Sequence, residues 1–359
     1  MKNIISFQVC IFTALCSVFI VSCSEDSPVT SNEDPYQFDS ARYDWTLYSN
    51  SNWLLDFNAF DTSNIFLLGT GNLLKYDGVN FTENYYNDQS FDPLSMGSYD
   101  KDNIYIGGND RSVSVNNGKP RLKKWNGSTF NEITINDSTN RLYQIFCIEA
   151  INENEILMGS TKGDLIHYDN GNFEFLRIDS TFFIRMFGTD ETGNSYAVAT
   201  KTVFDSLTFN FFNIYKKENN QWKWTLEYSD VYTGYDLNEI SPSRIKTEIS
   251  GFRNNNIVKY RNNTFQEIFQ VRPIVPYPLT QLSDTSTNYF LLPGISGDRG
   301  FEFFHWNGTK WSREIDLSQM GIYSQIISKV ENVDGKYFTL FQNGSNGMSM
   351  FGVGVIKNK

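Results

Sequence analysis

The stretch Trp125-Asn126-Gly127-Ser128-Thr129-Phe130 sets two aromatic residues five positions apart around an Asn-Gly pair. Asn-Gly supplies the positive φ angles that tight hairpin turns demand, and aromatic flanks suit a half-buried pleated surface, so the stretch predicts a hairpin tip. The pattern returns as Tyr76-Asp77-Gly78-Val79-Asn80-Phe81, Tyr168-Asp169-Asn170-Gly171-Asn172-Phe173, Tyr260-Arg261-Asn262-Asn263-Thr264-Phe265 and Trp306-Asn307-Gly308-Thr309-Lys310-Trp311, with a looser copy from Tyr215 to Trp222. The second aromatics fall at 81, 130, 173, 222, 265 and 311, spaced by 49, 43, 49, 43 and 46 residues. One supersecondary unit, repeated along the whole chain, points to a single stacked architecture.

Upstream of each tip lies a second recurring segment. Its copies are Asn64-Ile65-Phe66-Leu67-Leu68-Gly69, Asn103 to Gly107, Glu155 to Gly159, Asn194 to Val198 and Asn288 to Leu292, with weaker ones around Ile245 to Ile249 and Lys336 to Phe341. Such near-continuous apolar runs suit strands covered on both faces, as stacked sheets require. The seventh copy has no tip after it, whereas Arg42-Tyr43-Asp44-Trp45-Thr46-Leu47-Tyr48 matches Trp222 to Tyr228 and precedes the first unit without a tip of its own. The expectation is an all-β, seven-bladed β-propeller over 42–359, closed by the N-terminal strand completing the last blade. Its 318 residues give about 45 per blade, a normal repeat length. Two stacked β-sandwiches are the alternative, and the period with its split seventh unit favours the propeller.

In family terms, Asp190-Glu191-Thr192-Gly193-Asn194-Ser195-Tyr196 resembles the repeats of two-component-regulator sensor propellers, and the hairpin motif resembles those of propeller lipoproteins of Bacteroidota. The sensor match is confined to that stretch and implies architecture, not signalling. The order Ser-x-Asp-x-Gly-x-Thr-Trp of sialidase-type repeats is absent.

The amino terminus carries an address. Met1-Lys2 precedes an apolar stretch from Ile4 to Ile20, which reads as a secretory signal. Ile20-Val21-Ser22-Cys23 resembles the lipobox of bacterial lipoproteins, which implies that residues 1–22 are removed and Cys23 is acylated, giving a membrane anchor. Ser24 and Glu25-Asp26 are similar to the sorting residues of outer-membrane and surface lipoproteins, so the expected place is the outer membrane, facing the periplasm or the cell surface. Residues 23–41 are rich in Ser, Asp, Glu, Asn and Pro and predict a flexible tether.

Composition narrows the function classes. The 30 Phe, 20 Tyr and 7 Trp supply a sizeable core, and a net charge of −11 without any basic run argues against nucleic acid. Cys10, Cys16 and Cys23 fall in the leader region and Cys147 stands alone, so no disulfide framework is expected. His167 and His305 occupy the repeat position that Lys75, Lys124 and Lys259 take elsewhere, which predicts a solvated face of the third strand. Cys147 lies in an apolar inner strand and predicts a buried, inert thiol. Asp102, Asp190 and Asp284 recur at the turn between the first two strands, where turn capping is the natural role. No phosphate loop, paired-cysteine motif or serine elbow is present, so neither a cofactor nor a metal is expected.

Loop lengths point to a site. In a four-stranded blade the second-to-third loops and the blade-to-blade loops share one side, and the longer connections all fall there: 87–93, 109–120, 136–141, 201–209, 272–278 and 296–300. Binding concentrates on loops carried by rigid scaffolds, so the expected site surrounds that mouth of the central channel. Its candidate ligand-binding residues are Arg111, Arg141, Arg185, Arg272, Tyr277, Asp298 and Arg299, the arginines because a planar donor fork suits carboxylate or sulfate. The expected function is a non-enzymatic binding module for a protein partner or a glycan; the alternative is a polysaccharide lyase or glycoside hydrolase at the channel mouth.

Overall fold

The computed structural model describes residues 41–50, 53–113, 118–137, 142–189, 194–204, 208–218, 223–233, 243–245, 248–253, 256–261, 264–270, 289–291, 302–306, 311–316, 325–343 and 349–357. The signal segment, Cys23 and the tether lie outside them.

The described residues are all-β apart from one 3-10 turn at Arg111–Val113, and their strands form seven antiparallel sheets. Sheet 1 holds β2 (Leu54–Asp61), β3 (Asn64–Gly69), β4 (Asn72–Tyr76) and β5 (Phe81–Tyr85). Sheet 2 holds β6 (Phe91–Asp100), β7 (Asn103–Asp110), β8 (Pro120–Trp125) and β9 (Phe130–Ile133), and sheet 3 holds β10 (Ile145–Asn152), β11 (Glu155–Ser160), β12 (Asp164–Asp169) and β13 (Asn172–Arg177). Sheet 4 is built of β14 (Phe183–Thr189), β15 (Ser195–Phe204), β16 (Thr208–Lys217) and β17 (Trp224–Thr233), and sheet 5 of β18 (Ser243–Ile245), β19 (Glu248–Arg253), β20 (Asn256–Arg261) and β21 (Thr264–Gln270). Sheet 6 has three described strands, β22 (Tyr289–Leu291), β23 (Glu302–Trp306) and β24 (Trp311–Asp316). In sheet 7, β25 (Gln325–Val333), β26 (Lys336–Asn343) and β27 (Ser349–Ile356) are joined by β1 (Tyr43–Asn50), in the order β1-β27-β26-β25.

The hairpin tips stand where the sequence put them, with Tyr76 opposite Phe81, Trp125 opposite Phe130 and Tyr168 opposite Phe173. Asn170 and Gly171 have φ of 46° and 91°, the pair of left-handed residues that a type I′ turn requires. The looser copy is shifted: Lys217 faces Trp224, so β17 begins two residues after Trp222. The segment Ile245 to Ile249 is divided between β18 and β19, with Ile245 opposite Glu248, rather than forming one strand. Between first and second strands the caps are Asp61, Asp100 and Asn152, not Asp102; Asp100 accepts from the Asp102 amide at 2.8 Å. Asp190 and Asp284 lie outside the described residues.

Second strands are covered on both sides. Ile65 and Leu67 of β3 pack with Phe338, Leu340 and Phe351 of sheet 7, while Phe66 and Leu68 pack with Phe91, Ile104 and Ile106 of sheet 2. Equivalent apolar layers join sheets 2 and 3, 3 and 4, 4 and 5, and 6 and 7. The core is thus divided into layers between neighbouring sheets, and each fully buried Leu, Ile or Phe in them contributes about 1.5–3 kcal/mol.

The seat of β1 is specific. All eight of its residues pair with β27, from Tyr43 opposite Ile356 to Asn50 opposite Ser349. Trp45 lies over Gly354 and Leu47 over Gly352, where a Cβ would stand 2.8 and 2.9 Å from those side chains. Glu314 of β24, only 7% exposed, accepts from the backbone amides of Arg42 at 3.1 Å and Tyr43 at 3.0 Å, from the Trp45 indole at 3.4 Å and from the Ser312 hydroxyl. His305 packs edge-on to Tyr43, with ring centroids 5.2 Å apart, and is fully buried. The solvated-face reading therefore fails for His305, because its side chain fills the layer between sheets 6 and 7. His167 is half-buried and reaches Glu155 at 3.0 Å.

Candidate functional site

The first strands of five sheets wall one cavity of about 590 Å³, lined by residues of β2, β6, β10, β14 and β25. Each of these strands carries a β-bulge at the same register: Leu54/Asp56, Pro93/Ser95, Ile145/Cys147, Ile184/Met186 and Ile327/Lys329. A bulge inserts one unpaired residue and re-aims its side chain. Leu55, Leu94, Phe146 and Arg185 are those residues, and all four line the cavity. They sit near the start of their strands, on the side of the between-sheet loops, and make a collar that is apolar except for Arg185.

A second bulge precedes the turn in three of these strands, at Ala59/Asp61, Ser98/Asp100 and Ala150/Asn152. It carries Phe60, Tyr99 and Ile151, a second collar at the turn end of these strands, of which Phe60 lines the cavity. Between the two collars runs a polar belt. Lys329 reaches Glu331 at 2.9 Å, Asp56 at 3.2 Å and Asn58 Oδ1 at 2.7 Å, and also donates to the Phe57 carbonyl. Glu331 accepts from the Ala59 amide at 2.8 Å, and Asn58 donates to Ser98 at 2.7 Å. Burial opposes charge on Lys329, yet Asp56 and Glu331 outweigh it and hold the ammonium above its ordinary range. Burial raises the Asp56 carboxyl, and Lys329 only partly offsets that.

In β6 and β10 the residue after the first bulge ties one sheet to the next. Ser95 donates to the Ile145 carbonyl at 3.2 Å, and the Cys147 thiol to the Ile184 carbonyl at 3.4 Å. Burial pushes that thiol far above its usual range, so Cys147 belongs to the scaffold.

Of the candidate residues, Arg185 and Arg111 fall among the described ones, in different settings. Arg185 lines the cavity from within β14, not from a loop. Its guanidinium lies over Phe146 and Phe183, 5.1 and 5.2 Å from the ring centroids, and its Nε donates to Thr200 at 2.9 Å. Arg111 lies on the loop side, outside the cavity lining. Its Nε and Nη2 donate to Asp92 at 2.9 and 2.7 Å, which ties the turn after β7 to the start of β6. Beside it Arg121 and Lys123 share Asp88 and Glu132 over the Phe91 ring. Burial alone would raise Asp88, but hydrogen bonds from Arg121, Ser90 and Lys123 hold its carboxyl well below the usual range. Arg141, Arg272, Tyr277, Asp298, Arg299 and the lipidation candidate Cys23 lie outside the described residues.

One expected loop is not a loop. Residues 201–204 and 208–209 continue β15 and β16, paired out to Phe204 opposite Thr208, and β17 extends with them to Thr233. The insertion lengthens sheet 4 on the loop side.

Sequence reasoning missed Leu55, Leu94, Phe146, Asp56, Lys329 and Glu331. Their signal is a spacing of three between apolar residues in a strand, as in Leu54/Phe57, Ile145/Ile148 and Ile184/Phe187. Strict alternation forbids two residues so spaced from sharing a face, and a bulge restores it. Among the described residues no group of three or more His, Cys, Asp or Glu side chains is placed to hold a metal ion.

No protein-family model matches the chain, and no curated protein matches it. Among solved structures it is similar to YCF48 bound to D1 peptide, with a TM-score of 0.60 at 14% identity, covering 90% of this chain and 100% of that one. It is also similar to YCF48 from Cyanidioschyzon merolae, TM-score 0.57 at 15% identity, covering 86% and 98%. A third likeness is to the GH74 xyloglucanase from Xanthomonas campestris, TM-score 0.55 at 12% identity; it covers 85% of this chain but 43% of that enzyme. At these identities the likeness concerns architecture alone, and with the sheets described above it makes the fold a β-propeller.

Proposed function

We propose that the seven sheets are the blades of one ring, closed where β1 completes the last sheet, and that the chain is a lipoprotein of the Bacteroidota propeller type, anchored in the outer membrane through Cys23. In this reading it is a non-enzymatic binding module that takes a protein partner at the loop-side mouth of the cavity.

The observation that carries the reading is the first collar. Leu55, Leu94 and Phe146 bring apolar side chains to one mouth, with Arg185 held among aromatic rings beside them. Apolar contact with a few placed polar groups is the usual make-up of a recognition pocket, and 590 Å³ lies within its usual size range. YCF48, solved with a bound peptide, is a precedent for a propeller taking a polypeptide. A glycosidase reading draws less support, because a hydrolase needs carboxyl groups able to exchange protons with substrate. Asp56 and Glu331 instead share Lys329 and the backbone amides of Phe57 and Ala59.

The test is affinity capture from the envelope of the source bacterium with the wild-type chain and with Leu94→Glu and Phe146→Glu, alongside a glycan array with a cleavage check. A partner protein that is retained by the wild type and lost by both variants is the expected result. Glycan binding or cleavage without a collar-dependent protein partner would overturn it.

A further inference from the structure

The direction of β1 orients the propeller on its anchor. In each four-stranded sheet the first-to-second and third-to-fourth turns lie on one side, the turn side, and the other connections lie opposite. β1 is the fourth strand of its sheet, so it begins on the turn side at Arg42 and ends at Asn50, just before β2. The chain therefore enters the sheets at Arg42, on the turn side. Between Cys23 and Arg42 stand 18 residues, and a coil of that length spans about 25 Å. That is about the height of one eight-residue strand, so the turn side is the one a short tether presents to the bilayer.

That side carries exposed apolar side chains at both rim and axis. Val79 is 72% exposed at a hairpin tip, Tyr99 53% at the second collar, and Ile356 47% at the end of β27. Ile151 and Val355 are exposed there as well. Three lysines of this side lie beside acids: Lys101 with Asp102 at 2.5 Å, Lys223 with Glu218 at 2.9 Å and Lys357 with Asp44 at 3.8 Å. A face with exposed apolar groups and no net basic patch among its described residues fits a zwitterionic lipid surface, since attraction to anionic lipid needs such a patch.

We infer that the turn side rests on the membrane, with Val79, Tyr99, Ile151 and Ile356 in the headgroup region, while the loop-side mouth points away from it. This inference rests on acylation of Cys23 as proposed above. It makes the second collar a membrane contact and leaves the first collar to the partner.

The experiment uses the full-length acylated protein in phosphatidylcholine vesicles doped with brominated lipid. Single cysteines at Val79 and Ile356 on the turn side, and at Tyr85 and Phe183 on the loop side, carry an environment-sensitive fluorophore in a Cys147→Ser background. The mass of the amino-terminal peptide is read in the same samples. Probes at Val79 and Ile356 should lose most of their fluorescence to the bromine, while those at Tyr85 and Phe183 keep theirs. Acylated protein whose turn-side probes stay unquenched, or whose loop-side probes are quenched instead, overturns the orientation alone. Turn-side probes equally shielded in lipid-free detergent would assign that face to a second copy and also overturn it. An unmodified Cys23 would overturn the anchor and the orientation together, and the peptide mass separates that outcome from the others.

Discussion

Truncating Glu314 should unfasten β1 before it unfolds the rest. The carboxylate is nearly inaccessible and accepts from the Arg42 and Tyr43 amides, the Trp45 indole and the Ser312 hydroxyl. Hydrogen bonds to a charged group contribute about 1.5–3 kcal/mol each, and buried donors left without an acceptor add their own cost. These contributions overlap, so Glu314→Ala should cost about 3 kcal/mol, concentrated on the seat of β1. That is about a 150-fold rise in the opening of this strand. Hydrogen exchange followed by mass spectrometry should show residues 43–50 losing protection by that factor while the β10–β11 hairpin keeps its own. Glu314→Gln, which retains an acceptor oxygen and volume, should lose less. Unchanged protection of residues 43–50 in Glu314→Ala would refute the latch.

Other outcomes follow from the same geometry. Burial, with the nearby Arg42 charge, lowers His305 to about 4, against about 6.5 in an unfolded chain. The unfolded state therefore binds the extra proton first, and stability contributed by neutral His305 is lost as pH falls from about 6.5 towards 4, to a limit of about 3 kcal/mol; urea midpoints of wild type and His305→Phe should converge across that window. Gly97→Ala, whose Cβ would stand 2.8 Å from the Ile148 carbonyl, should cost about 1–3 kcal/mol by forcing sheets 2 and 3 apart, as read from thermal midpoints. Cys147→Ser should change the urea midpoint by less than about 1 kcal/mol, because a hydroxyl can make the bond that Ser95 makes at the same register. Lys329→Met leaves Asp56 and Glu331 facing each other in the belt and should cost about 3 kcal/mol in the same assay.

Most of the architecture was legible in the sequence because it is periodic. Five aromatic pairs spaced five positions apart, three of them around Asn-Gly and one around Asp-Gly, face each other across neighbouring strands. The copy near Trp222 slipped because its two aromatics stand seven positions apart rather than five. The site was harder to read. Its shape depends on bulges, which leave only the three-residue spacing of Leu54/Phe57 and its equivalents, and on pairings such as Lys329 with Asp56 that are 273 positions apart in the chain. His305 and His167 share a repeat position yet differ in burial, because sheet 7 with its borrowed strand covers one of them and no repeat statistic records that.

The binding claim is tested most directly by photocrosslinking in living cells, with a light-activated amino acid placed at Leu94 or Phe146 in the first collar and, as a control, at Leu226 on the outer strand of sheet 4. The account predicts one protein adduct of constant mass from both collar positions and none from Leu226. Adducts equal at all three positions, or none from the collar, would contradict a partner taken at the loop-side mouth.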